Sequence, residues 1–372
     1  MEHTLVTIKG YLRLPAVLLI LLPALTPAQQ TASFDGKAAV VLANDKVELT
    51  VLTTGGALAR LLLRDGEPLS PFPPMGHMLC VDGFGAPSKQ ETAAGMPFHG
   101  EAGKRPFKIL STRDAGPVHS LTMQVWLPLA QETFTRTIEV ADGENVVYVT
   151  SELENPLAFD RPVSWAEHGT LGPPFLEKGK VVVDAAATNC RVRAWKPGPI
   201  PGRLIYLRDF KWPMAPTNEG GQVDLRPVPA DTIALDLAGC QMDPQRRLAF
   251  VTALHIEKRL LFGYLFRREE YPWLMNWMKY TGDEKAARGI EFSTQPFDVS
   301  RRESVELNPL FGTPTFRWLP AKSKIQSRFL LFYTKVPEGF SRVDDVRLEG
   351  GKLIVDDRGA GKRVVLNASQ EL

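Results

Sequence analysis

The stretch ETFTRTIEV, Glu132 to Val140, decides the fold class. Phe134, Ile138 and Val140 fall on one side of an extended chain, the period-two signature of a strand with one buried face. KVELTVLT, Lys46 to Thr53, repeats the pattern with Val47, Leu49 and Val51. Similar runs occupy 120–127, 144–152, 248–255, 260–266 and 326–334. Turn clusters separate them: Asp65-Gly66, Asp142-Gly143, Pro197-Gly198-Pro199, Glu219-Gly220-Gly221 and Gly350-Gly351. No long segment carries the three-four spacing of a helix. These patterns predict an all-β protein, one large antiparallel sandwich of many strands.

Composition agrees. Of 372 residues, 44% are apolar and 23% charged, ordinary values for a globular chain, and thirty glycines and thirty prolines suit a fold rich in turns. A formal net charge of +2 gives no reason to expect a nucleic-acid partner. The N-terminus differs in kind. Lys9 and Arg13 precede the apolar run LPAVLLILLPAL, Leu14 to Leu25, and TPA leads into the polar QQTAS. A basic region, a short apolar run and a small residue describe a secretory signal with cleavage near Ala28. The run is too short to span a bilayer comfortably. The expectation is a signal peptide over 1–28 and a single sandwich domain over 29–372. The mature chain would be periplasmic or secreted, without stable membrane insertion.

Cys80, Cys190 and Cys240 are far apart in sequence, and none pairs with another at zinc-ligand spacing. His77 and Cys80 form only a lone H-x-x-C. All three cysteines read as small core residues, although an exported chain would permit a disulfide. Two Pro/Gly-rich stretches, 67–106 and 196–229, read as long loops of the kind that often carry function.

The familiar signatures of serine hydrolases, phosphate loops, dinucleotide folds and helical zinc proteases are absent. What remains are histidines, carboxylates and aromatic rings. His99 and His168 each precede a glycine, which lets a ring project from a turn or strand end. His77, His119 and His255 read as structural. Glu291, in GIEFSTQPFD (289–298), shares a side with Gly289 and Ser293. In a cleft its pKa would rise toward the range of a general base. YPWLMNWMKY (271–280) is either a doubly buried strand or a strand that offers one ring as a stacking platform for a sugar face.

The ordered set HGEAGKRPF, SWAEHGTLGPPFL, YPWLMNWMKY, ARGIEFSTQPFD and LFGTPTFRWLP resembles a divergent branch of the aldose 1-epimerase (galactose mutarotase-like) superfamily. The resemblance runs from TTGGALARLLL at Thr53 to LLFYTKVPEGF at Leu330. It implies a β-supersandwich that binds a carbohydrate in a cleft on one sheet and needs neither metal nor organic cofactor. It further implies that Glu291 takes the proton of the C1 hydroxyl while His168 protonates the ring oxygen, from opposite sides of the reacting centre. His99 matches a second histidine that binds the sugar near that oxygen. Closeness in sequence adds Trp165, Glu167 and Arg105 as candidate substrate-binding residues, and the stacking-platform reading of 271–280 adds Trp277. The basic residues follow His99 here, whereas better-known sugar mutarotases have an Asn-Arg pair before it. Two other functions remain open on this reading: a non-catalytic glycan-binding protein, and a lyase acting on acidic polysaccharide.

Overall fold

A computed structural model describes residues 31–73, 76–194, 198–282 and 285–372. The segment 1–28 read as a signal peptide lies outside these residues. Among them no helix is long and apolar enough to cross a membrane.

Two large antiparallel sheets, of 14 and 8 strands, face each other. The alternating stretches identified above become strands of both. Glu132–Ala141 pairs with Val118–Leu127 on one side and Val146–Asn155 on the other. Phe134, Ile138 and Val140 point into the space between the sheets and join Val147, Val149, Phe262, Phe329 and Leu331 in the main core. Burying side chains of this size is worth about 1.5–3 kcal/mol each, which holds the two sheets in register.

The smaller sheet is covered on its other face too. Strands Asp345–Glu349, Lys352–Asp357 and Lys362–Asn367 form a meander, with Gly350-Gly351 turning the first into the second. Its Val346, Leu353, Val355 and Leu366 pack on Tyr148, Leu261, Leu265 and Leu330. Leu330 and Leu331 therefore serve two different cores, as successive residues of a strand must.

Several expectations need correction. Cys190 and Cys240 stand opposite each other on paired strands and form a disulfide, so only Cys80 is a free core cysteine. The segment 67–106 is not all loop, because His77–Val81 is a strand of the larger sheet. Short strands also interrupt 196–229. Two short helices, Lys89–Ala93 and Arg301–Glu306, leave no period to read, yet each opens on a capping box, Ser88 with Glu91 and Ser300 with Glu303.

Candidate active site

The strand Trp165–Leu171 lies inside the larger sheet, between His77–Val81 and the short strands Ala287–Gly289 and Glu291–Ser293. Every residue of it is buried. Because successive side chains alternate, Glu167 and His168 face opposite ways. His168 does not mark the strand's end, as its sequence context had implied. The strand runs three residues further, to Leu171. Gly169 is required there because a Cβ would press on the Tyr264 hydroxyl of the opposite sheet.

On the inner face, Glu167 is surrounded by donors. Arg136 reaches its Oε1 at 2.5 Å and His77 its Oε2 at 2.7 Å, while the Trp165 indole N–H and the Tyr271 hydroxyl also donate to Oε1. Burial alone would raise the Glu167 pKa, but Arg136, His77 and Trp165 outweigh it and hold the carboxyl below its ordinary value. The proton of His77 thus lies on Nε2, and its Nδ1 accepts from Tyr264 at 2.8 Å. Trp165 and Glu167, expected as substrate-binding residues, belong instead to this network between the sheets.

On the outer face lies a cleft of about 310 Å³ lined by Phe98, His99, His168, Met275, Trp277 and Glu291, with Leu235, Leu237, Lys279 and Asp298 completing it. His168 Nε2 stands 3.5 Å from Glu291 Oε1, with side chains 5% and 2% exposed. Thr170, two residues along the same face, places its hydroxyl 3.2 Å from His168 Nδ1. Glu291 reaches this position because the register between the strands runs unbroken across Ile290, which sets Glu291 opposite His168, and because Gly289 has no side chain. A Cβ on Gly289 would overlap Glu291 Oε1.

The electrostatics are opposite to those behind the sheet. Burial, and then the charge of Asp298, push the Glu291 carboxyl well above its ordinary pKa, and its Oε1 has no hydrogen-bond partner. Burial, with the neighbouring His99, pushes His168 down to about 3. Burial therefore favours the neutral form of both groups, which puts the proton of the pair on Glu291 rather than on His168. Asp298 is itself raised to about 6 by burial, against the pull of Arg193, which lies 3.0 Å away.

His99 approaches from the helix-bearing loop. Its backbone is left-handed, with φ of 65°, a conformation in which His is commoner than most residues. Its Nδ1 accepts the Gly85 N–H at 3.0 Å, so Nε2–H is the donor left for the cleft. Its ring meets that of His168 edge-on, with centroids 5.0 Å apart. Burial and the charge of Lys104 lower it to about 4. Arg105 does not join this group. It turns outward, 41% exposed, and pairs with Glu101 at 3.1 Å.

Of the residues expected at a site, His99, His168, Trp277 and Glu291 come together, and Trp165, Glu167 and Arg105 do not. Lys279, Asp298, Thr170 and Gly289 are additions. Thr170 and Lys279 were within reach of strand parity alone, two residues from His168 and Trp277. His77, His119 and His255 lie outside the cleft and each has a carboxylate partner. Cys80 lies beneath it with Phe84, Ala166 and Met275, its thiol kept protonated by burial. Among the described residues, no cluster of three or more His, Cys, Asp or Glu is arranged to hold a metal ion.

No protein-family profile matches the sequence, and no curated protein matches it. Solved structures do. A galactose mutarotase-like protein from Lactobacillus casei ATCC 334 is 14% identical, with a TM-score of 0.55 over 80% of this chain and 100% of the other. A galactose mutarotase related enzyme from Lactobacillus acidophilus is 13% identical, with a TM-score of 0.54 over 83% and 100%. The Slr1438 protein from Synechocystis sp. PCC 6803 is 12% identical, with a TM-score of 0.57 over 82% and 99%. The chain has the galactose mutarotase-like fold. At these identities the likeness concerns architecture, and a fold of this kind hosts more than one function.

Proposed function

We propose that this chain interconverts the anomers of a sugar, as an aldose 1-epimerase does, with Glu291 and His168 as its acid–base pair. The observation that carries the reading is their direct apposition, 3.5 Å apart, at the floor of a cleft walled by Trp277 and His99. The sequence led us to expect acid and base on opposite sides of the reacting centre. The C1 hydroxyl and the ring oxygen are bonded to the same carbon, so two groups this close together can each reach one of them.

The pair needs one proton in total. Ring opening requires Glu291 ionised and His168 protonated. Glu291 takes the hydroxyl proton as the C1=O bond forms, and His168 gives its proton to the ring oxygen as the C1–O5 bond breaks. The result, a protonated Glu291 beside a neutral His168, is the state that burial favours in the empty cleft. After rotation about C1–C2, the ring closes with each group in the reverse role. The bound sugar supplies the polar contacts that Glu291 lacks on its own, and thereby favours the ionised carboxylate. Trp277 offers its face to the apolar side of the ring, and His99 Nε2–H a donor.

We further propose that the protein works outside the cytoplasm. The basic-apolar-small pattern before Ala28 and the Cys190–Cys240 disulfide support this.

Two-dimensional NMR exchange on anomers of common hexoses and pentoses tests the chemistry. Acceleration by the wild-type protein, lost in both His168→Ala and Glu291→Gln, is the expected result. Sugar binding with no acceleration would refute catalysis and leave a glycan-binding protein.

A further inference from the structure

Most charges in the cleft have an evident counterpart. Asp298 pairs with Arg193, Glu291 faces His168, and the two histidines are neutral. Lys279 is the exception. It is partly buried, lines the cleft beside Trp277, Leu235 and Leu237, and makes no hydrogen bond or ion pair with any described residue. Its stem lies along the apolar wall while its ammonium has no protein anion to meet, which leaves that charge open to an anion brought by a ligand.

Its place along the strand says where that anion should be. Met275 stands opposite Glu291 in register. Lys279 is four residues further on, roughly 13 Å of strand, with Trp277 between the two. A pyranose stacked on Trp277 with C1 at the Glu291–His168 pair covers the first part of that span, and a carboxylate on C6, carried by C5 beside the ring oxygen, is the substituent that extends furthest beyond the ring toward Lys279. A single ammonium is a compact point charge that matches a carboxylate. A phosphate, with more charge and three acceptor oxygens, is better served by an arginine fork or several cations.

We propose that the cleft selects a uronic acid, a sugar whose C6 is a carboxylate, and that Lys279 is the residue that recognises it. This rests on the sugar-binding cleft proposed above.

Calorimetric titration with matched pairs tests the idea: D-galacturonate against D-galactose, D-glucuronate against D-glucose, and D-galactose 6-phosphate as a further anion. The wild-type protein at low salt should bind one uronate about tenfold more tightly than its neutral partner, the scale of one charge-assisted contact, and lose that margin as salt rises. Lys279→Met keeps the apolar stem and should erase the margin between acid and neutral sugar. Lys279→Arg should retain it. Equal affinity for acid and neutral sugar in the wild type overturns the proposal, as does a margin that survives in Lys279→Met. Tighter binding of the phosphate than of either uronate overturns the uronate assignment in favour of a sugar phosphate. Neutral sugars bound and interconverted with no preference for the acid would sink this inference alone. Absence of binding by every sugar would sink the cleft's proposed function with it.

Discussion

Glu167 and Glu291 are buried carboxylates on neighbouring strands of one sheet, almost back to back, and they live in opposite electrostatic worlds. Glu167 is paired in register with Phe292, the residue next to Glu291. It faces the other sheet, where Arg136, His77, Trp165 and Tyr271 satisfy it and keep it ionised. Glu291 faces the cleft with one oxygen unpartnered and its proton retained. Both carboxyls pay for burial. One is compensated within the fold, and the other is left for something outside the fold to compensate. The contrast separates a structural charge from a reactive one without appeal to any relative.

The sharpest way to break this comparison is to neutralise each carboxyl in turn. Glu291→Gln should fold normally and lose a factor of about 10² to 10⁴ in anomer exchange, the usual share of a general acid–base group. Glu167→Gln should lose about 3–5 kcal/mol of stability, because it leaves the Arg136 guanidinium buried without a countercharge. Urea unfolding of both variants checks the pair of outcomes. A stable Glu167→Gln and an unfolded Glu291→Gln would reverse the roles assigned here.

Gly289→Ala should come next in size. The new methyl would occupy the position of Glu291 Oε1 and would also press on the Trp277 side chain. Overpacking of this kind costs about 1–3 kcal/mol, and the displaced carboxylate should lower exchange activity beyond what the stability change explains. Activity measured well below the unfolding temperature separates the two effects.

The two carboxyls also predict opposite pH slopes. The folded pKa of Glu167 is below its unfolded value, so its contribution is present above the unfolded pKa and lost as pH falls through the folded one. The folded pKa of Glu291 is raised, so folding is most favoured below its unfolded pKa and weakens as pH rises toward the folded value. His168 and His99, lowered to about 3 and about 4, act in the same sense as Glu167. Their neutral forms favour folding fully above the unfolded histidine value near 6.5, and that support is lost as pH falls from there toward the folded values. Glu291→Gln should therefore remove the decline of stability that begins as pH rises above the unfolded carboxyl value near 4.5, and leave the losses below that pH unchanged. Unfolding curves across pH read this directly.

How much of this was legible in the sequence follows from where the information resides. Period-two alternation is local, so Phe134, Ile138 and Val140 announced a sandwich, and strands formed where they were expected. The pairing of His168 with Glu291 is not local. It entered through resemblance to a family, because nothing near either residue names the other. The errors came from treating neighbours in sequence as neighbours at a site. Trp165 and Glu167 flank His168 and its strand mates, but adjacent residues of a strand point to opposite faces, so parity alone would have sent both to the core. The same parity places Thr170 with His168 and Lys279 with Trp277. The cysteine bond escaped notice because the register that opposes Cys190 and Cys240 is set by the whole sheet.

Thr170→Val, the smallest expected effect, probes how the cleft holds its histidine. The hydroxyl lies 3.2 Å from His168 Nδ1 on a fully buried strand, and no other described side chain hydrogen-bonds either nitrogen of that ring. It can accept from Nδ1–H or donate to a bare Nδ1, so it serves both protonation states that the proposed reaction visits. Valine keeps the shape and removes this contact. A neutral hydrogen bond is worth about 0.5–1.5 kcal/mol, so exchange should slow by between about twofold and tenfold. Thr170→Ser should restore most of the rate. Behind the sheet the contact that holds the charge, Glu167 with Arg136, is fixed in sense. Arg136 only donates and Glu167 only accepts, which suits a charge that must stay as it is. A loss in Thr170→Val as large as that in Glu291→Gln would mean that the hydroxyl touches the sugar itself, and the division between a fixed charge inside and a mobile proton outside would have to be redrawn around Thr170.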